Sequence, residues 1–209
     1  GDGAGAVVIE ESKDPSEGEI YSFVNGLSSD KLDILEVPNF GSAMDRFKED
    51  EAARVQWTFD GPEIFKGGIR AMANSSTEVI EKSGLSKEDI DILIPHQANL
   101  RIVEGLEKSL KLPNATTIKK VHKYGNTSAA SIPTALVDAL EAGEIKGGET
   151  AVFTAVGAGL SWGACALRLG ERTTPINTSD AKLPDFDGKA VDTIRKAIEY
   201  QIPEKLDLI

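Results

Sequence analysis

Two residues stand apart in this sequence for what their side chains can do together. His96 lies in Pro95-His96-Gln97-Ala98-Asn99, directly after an apolar run over residues 90–94. Asn126, 30 positions later, lies in Tyr124-Gly125-Asn126-Thr127-Ser128-Ala129-Ala130-Ser131, after a second run over 117–121. A neutral imidazole offers a ring N–H and a carboxamide offers an NH₂ group, so both can donate hydrogen bonds. Aimed at one carbonyl oxygen, the pair would stabilise the enolate left when a neighbouring carbon loses CO₂ or a proton. Each preorganised donor of this kind is worth about 2.7–4 kcal/mol. A third segment, Gly157-Ala158-Gly159, is a glycine turn able to offer a backbone N–H to a second oxyanion. All three segments follow candidate strands, and ligands of open α/β sheets gather at the carboxyl ends of strands.

Each segment also has a plainer reading. A histidine after a strand often serves only as a local hydrogen-bonding residue, and Gly125-Asn126-Thr127-Ser128 also fits a turn and helix cap. The two histidines, His96 and His122, are 26 apart, which is not metal-ligand spacing. His122 sits among charged residues and reads as exposed. Residues 1–5 are glycine-rich but lack the lysine and spacing of a phosphate loop. Cys165 lies inside the apolar run Trp162-Gly163-Ala164-Cys165-Ala166-Leu167 and reads as a small core residue. Arg101, Lys108, Lys111, Lys119, Lys120 and Lys123 are placed to form a basic rim around the two strand ends, which taken alone is equally a solvated face.

The elements that must position these residues are legible in part. Pro62 suits a first helical position, and near-helical apolar spacing predicts a helix over 61–82, stopped at Gly84. Ser86-Lys87-Glu88-Asp89 resembles a capped turn. Residues 90–94 and 117–121 read as buried strands, with a helix over 99–110 between them whose Ile102, Val103, Leu106 and Leu110 share one side. A mostly small, apolar helix over 131–142 follows. Then come a strand over 150–155, the glycine turn and a returning strand over 162–169. That order is α/β, with parallel strands joined through helices. Upstream, residues 21–24 and 34–37 read as short strands between turns, and 41–56 as a loop with a helical turn. Residues 1–9 read as a glycine turn feeding a short buried strand. Residues 171–184 read as a linker and 189–200 as a last amphipathic helix.

Composition sets the outer bounds. The 209 residues are 40% hydrophobic and 27% charged, an ordinary globular balance. The net charge of −11 argues against a general nucleic-acid binder, which needs a basic footprint. No apolar run approaches the roughly 20 residues of a membrane helix. The single cysteine excludes an internal disulfide framework and fits a reducing cytoplasm. A buried strand starting near residue 1 needs neighbours, and the chain is expected to be a piece of something longer.

Together the motifs resemble the β-ketoacyl-acyl-carrier-protein synthase III family. The resemblance rests on five blocks in order: Gly1-Asp2-Gly3-Ala4-Gly5-Ala6; Asp60-Gly61-Pro62-Glu63-Ile64-Phe65-Lys66; residues 94–102 around His96; residues 124–133 around Asn126; and residues 157–164. It covers about residues 1–169. It implies the C-terminal half of a thiolase-like α/β fold, a five-layered αβαβα sandwich. Residues 1–40 would be the last strand and following loop of the N-terminal half, 41–169 the C-terminal half, and 170–209 an extension with a helix.

The resemblance further implies an enzyme that takes an acyl group from acyl-CoA onto a cysteine, decarboxylates malonyl-acyl-carrier-protein and joins the two, with no cofactor and no metal. His96 and Asn126 would be two members of its Cys-His-Asn triad, and the backbone N–H of Ala158 would belong to the acyl oxyanion hole. Gly61, Phe65, Ala98 and Asn99 match positions lining the pantetheine tunnel. Arg101 and Lys108 match a patch that docks the acidic carrier protein, and a local patch on a chain of net −11 suits an acidic partner. A homodimer, a cytoplasmic location and an N-terminal half supplying the nucleophile are implied as well. Two features depart from the family pattern. Val156 stands where a Phe is usual, and Ala158 interrupts a run of three glycines. Two other readings stay open: a related thiolase-fold acyltransferase using another nucleophile, and a non-catalytic binding subunit.

Overall fold

A computed structural model describes residues 1–37 and 58–174, with 180, 181 and 195. The expected loop over 41–56 lies outside the described residues, as do most of the expected linker and, apart from Arg195, the expected helix over 189–200. The described chain is built on a five-stranded mixed sheet in the order β1-β7-β6-β4-β5. These strands are β1 (Glu19–Leu27), β4 (Ile92–Pro95), β5 (Thr116–Thr117), β6 (Thr150–Gly157) and β7 (Ser161–Arg168). β4 pairs in parallel with both β5 and β6, whereas β7 is antiparallel to β6 and β1. A two-residue pair, β2 (Leu35–Glu36) and β3 (Thr58–Phe59), stands apart.

β4 is central and parallel, so both of its faces need cover. All four of its residues are buried. On one face, Leu93, Val152, Ala164 and Ala166 pack against two helices, α1 (Gly61–Lys82) and α2 (Leu100–Leu110). On the other, Ile92, Ile94 and Ala151 pack against Ala135 and Ala139 of α4 (Ser131–Glu141). The helix starts are local chemistry. Asp60 accepts from the Glu63 N–H at 3.0 Å and caps α1, with Pro62 in its first turn. Asn99 accepts from the Ile102 N–H at 2.9 Å and caps α2. α1 ends where Gly84 takes φ of +69°, as the sequence predicts. The α1–α2 approach is close enough that a Cβ at Gly105 would lie 2.5 Å from Ile69 Cδ1.

Two expectations are corrected. Residues 1–10 form no strand, and Val8 is 92% exposed. A strand is held by partners, and no described strand pairs with this one. Instead Gly1 donates from its terminal nitrogen to the Asn126 carbonyl at 3.0 Å, and Gly5 packs on Pro133. The second strand of the parallel set is two residues long rather than five. The chain turns at Lys120 into a single helical turn, α3 (Val121–Tyr124), because Gln97, two residues past the end of β4, claims the backbone N–H groups of Lys120 and Val121. Conversely, β1 is longer than expected. It is an edge strand whose Val24 is buried against the α1 side, while Phe23 on the opposite face is 71% exposed.

Candidate active site

The side chain that ends β5 is Gln97. It is 2% exposed and spends all of its hydrogen-bonding capacity on backbone. Its Nε2 donates to the Pro95 and Ile118 carbonyls at 2.7 and 3.2 Å. Its Oε1 accepts from the Lys120 and Val121 N–H groups at 2.8 and 3.2 Å. Gln97 thus ties the end of β4, which carries His96, to the end of β5, which leads through α3 to Asn126.

His96 is anchored at both ends. Its backbone N–H donates to the Thr154 carbonyl at 2.8 Å, extending the β4–β6 ladder by one bond. Its Nδ1 lies 2.7 Å from Ser131 Oγ, at the start of α4. Burial pushes its pKa below the ordinary 6.5, which favours a neutral ring at neutral pH. Asn126 is exposed. Its Oδ1 accepts from the Ser128 N–H at 2.9 Å, which leaves the Nδ2 group to donate outward. Gly125 (φ +69°) precedes it and Ser128 (φ +52°) follows two residues on, so the loop turns sharply on both sides of the carboxamide.

The Asn126 loop is held from behind by ion pairs. Asp138 of α4 accepts from Lys123 and from the Tyr124 hydroxyl at 2.9 Å, and pairs with Lys120 at 3.1 Å. Lys120 also meets Glu144 at 2.7 Å. The Lys123 ammonium, with Lys120 and Tyr124, holds the Asp138 carboxyl down to about 2, against an ordinary 3.8. A depressed folded value means that this stability is present above 3.8 and lost as pH falls toward about 2. Asp138→Asn is expected to cost about 1–3 kcal/mol at pH 7, with the gap to wild type closing in urea titrations taken down through pH 3.8 to about 2. A gap that stays constant over that range would refute the role given to the carboxylate.

These pairs also revise the basic rim. Lys120 and Lys123 are engaged with Asp138, and Lys119 with Glu107 at 2.8 Å. Arg101 and Lys108 of α2 and Lys111, its C-cap, make no ion pair among the described residues, so of the six rim cations these three carry the open charge. Arg101 and Lys108 are exposed and seven positions apart, which is one helix face. The Arg101 guanidinium lies 5.9 Å from the centre of the Phe65 ring, joining the α2 cations to α1. Gly61 starts α1 beside the Phe59 ring. Ala98 packs on the α1–α2 core, and Asn99 is exposed beyond its capping bond.

Ala158 is exposed at the tip of the β6–β7 hairpin. Its carbonyl accepts from the Ser161 N–H and Oγ, at 3.2 and 3.0 Å, and its own N–H donates to nothing among the described residues. Two glycines of α1 seat this hairpin. A Cβ at Gly67 would lie 2.9 Å from Leu160 Cδ1, and one at Gly68 would lie 3.3 Å from Val156 Cγ1. Cys165 pairs across the sheet with Phe153, which pairs with Ile94. It is therefore two strands, about 10 Å, from the strand that ends in His96. It is half-buried rather than the core residue expected, because it alternates with the buried Ala164 and Ala166 and so lies on the other face of β7; what burial it has pushes its thiol pKa up, which keeps it protonated. Gln97 and Ser131 are the two contributors that the sequence did not single out. Neither belongs to a spacing pattern, and each acts through contacts between distant segments.

A mixed sheet whose parallel centre is covered by helices on both faces is the architecture of half a thiolase fold. Solved structures share it. The 3-oxoacyl-acyl-carrier-protein synthase III of Aquifex aeolicus VF5 is 34% identical with a TM-score of 0.62, over 76% of this chain and 46% of that one. The priming β-ketosynthase of the R1128 polyketide biosynthetic pathway is 30% identical with a TM-score of 0.67, over 73% and 46%. Residues 80–169 match the family described as 3-oxoacyl-[acyl-carrier-protein (ACP)] synthase III C terminal. Among curated relatives, β-ketoacyl-acyl-carrier-protein synthase III 2 of Vibrio cholerae serotype O1 is 46% identical over 96% of this chain and 54% of its own length. The synthase III of Bacillus pumilus is 47% identical over 81% and 49%. Over residues 80–169 the chain matches the C-terminal part of the β-ketoacyl-acyl-carrier-protein synthase III family, and it spans about half the length of the curated relatives it matches.

Proposed function

We propose that this chain supplies the decarboxylating half of a condensing acyltransferase that starts fatty-acid or related polyketide synthesis. In this reading malonyl-acyl-carrier-protein binds with its thioester oxygen between His96 Nε2–H and Asn126 Nδ2–H. Loss of CO₂ leaves an enolate, whose negative charge the two donors stabilise. The carbanion carbon attacks an acyl-thioester on a cysteine, whose oxyanion the Ala158 N–H receives. The cysteine thiolate leaves, and the 3-oxoacyl product remains on the carrier. The observation that supports the proposal is the Gln97 staple, which ties the backbone beside His96 to the residues that lead through α3 into the Asn126 loop.

The nucleophile must come from outside these residues, because Cys165 is two strands away from β4 and protonated. A preceding thiolase half would supply it. Gly61, Phe65, Ala98 and Asn99 would border the pantetheine arm, and Arg101 and Lys108 would meet the acidic carrier, with acyl-CoA as the other substrate. A cytoplasmic homodimer fits this role. The chemistry asks for no cofactor or metal. Among the described residues no helix is long and apolar enough to cross a membrane.

The test uses the intact protein with acyl-CoA and malonyl-acyl-carrier-protein, measuring CO₂ and 3-oxoacyl product together. Equal amounts of both are expected. Acyl transfer to a different acceptor with no malonyl-dependent CO₂ would overturn the condensing reading and identify a related acyltransferase.

A further inference from the structure

The structure assigns Ser131 as a positioning residue that fixes the tautomer of His96 and links its orientation to that of Asn126. This inference rests on the function proposed above and names a residue through which that site works. Ser131 is 3% exposed, so water does not serve its hydroxyl. The oxygen accepts from the Gln97 backbone N–H at 3.2 Å. Its other polar neighbour among the described residues is His96 Nδ1, at 2.7 Å. A hydroxyl has one proton, and here that proton has one acceptor to go to. If His96 Nδ1 carried a proton instead, the Ser131 proton would be buried without a partner, which costs about 1–3 kcal/mol. Nδ1 is therefore the acceptor, and in the neutral ring the remaining proton sits on Nε2. That is the nitrogen needed as a donor.

The same residue reaches the other donor. The Ser131 backbone N–H donates to the Ser128 carbonyl. The Ser128 N–H donates to Asn126 Oδ1 at 2.9 Å. One short relay, from His96 Nδ1 through Ser131 and Ser128 to Asn126 Oδ1, thus orients both side chains. It engages the inward atom of each and leaves the two donors outward. The α4 helix does not use this hydroxyl: its N-cap is Ala130, and the hydrogen bonds of Ser131 Oγ go to His96 and Gln97.

The experiment reads the tautomer directly. The chain has two histidines, so ring-¹⁵N labelling gives two imidazole spin systems, and His122→Gln assigns His96. The wild-type chain is expected to show an N–H at Nε2 and an unprotonated, hydrogen-bonded Nδ1. In Ser131→Ala the population shifts toward Nδ1–H. Ser131→Thr, which keeps the hydroxyl, retains the wild-type pattern. In the intact enzyme Ser131→Ala lowers kcat for malonyl decarboxylation about 10- to 100-fold, leaves KM for the carrier substrate little changed, and leaves acyl transfer from acyl-CoA intact. An Nδ1–H tautomer in the wild-type chain overturns the assignment without any variant needing to fold. So does an unchanged tautomer in folded Ser131→Ala. Failure of the proposed reaction is separate: it would show as absent CO₂ release in the wild-type enzyme, while the ¹⁵N spectrum would still report on Ser131.

Discussion

If the proposed reaction is the one catalysed, replacing His96 or Asn126 with Ala in the intact protein is expected to slow malonyl decarboxylation by about 10²- to 10³-fold each, the loss of one preorganised oxyanion donor. The acylation half-reaction, measured as transfer of label from acyl-CoA, should survive in both variants, since neither donor touches that carbonyl in the proposed geometry. Asn126→Asp is the sharper control. It retains an oxygen for the Ser128 N–H but replaces the outward NH₂ with a second carboxylate oxygen, so it faces a developing negative charge with another one. It is expected to be at least as impaired as Asn126→Ala. Decarboxylation within a few-fold of wild type in any of the three would contradict the roles assigned to the pair.

The second large effect belongs to a residue that touches no substrate. Gln97→Ala strips four bonds from buried backbone at once, leaving two N–H groups and two carbonyls without their partner. Unsatisfied buried groups cost about 1–3 kcal/mol each, and partial rescue by entering water lowers the sum. A loss of about 3–5 kcal/mol is expected, read as a lower urea midpoint at unchanged m-value. Gln97→Glu separates shape from chemistry. It fits the same space and keeps an acceptor for Lys120 and Val121, yet turns a carboxylate oxygen toward the Pro95 and Ile118 carbonyls. It should be destabilised nearly as much as the alanine variant. A loss below about 1 kcal/mol for Gln97→Ala would mean that the two strand ends are joined by something other than this staple.

What could be read from the sequence was what is settled locally. The start and stop of α1 follow from Asp60, Pro62 and Gly84, whose preferences act within one turn. β4 announces itself by apolar residues at consecutive positions, because a central parallel strand has no solvated face. The family resemblance carried the family, and with it the fold, because its motifs lie where backbone and site chemistry coincide. What was missed depends on partners far along the chain. The stretch after Thr117 has strand-forming residues, but Gln97, 23 and 24 residues before Lys120 and Val121, intercepts their N–H groups. Lys120 and Lys123 look like free surface charge until Asp138 is brought beside them by the packing of α4. Residues 7–9 look like a strand because their composition is right, yet composition does not supply a neighbour. Ser131 has no sequence signature at all, since a serine opening a helix is ordinary and its value lies in what the fold sets 2.7 Å away.

The paired glycines at 67 and 68 have a bearing on how relatives of this chain can diversify. Helix and hairpin meet there through the hairpin's side chains alone, so the height of the loop that presents Ala158 is governed by how much room the helix backbone leaves them. Bulk added on that helix would reach the loop through Leu160 or Val156 first. Under the proposed function, the space open to an acyl tail could thus change in small increments while the imidazole and the carboxamide stay where they are, separating the choice of primer from the bond-forming chemistry.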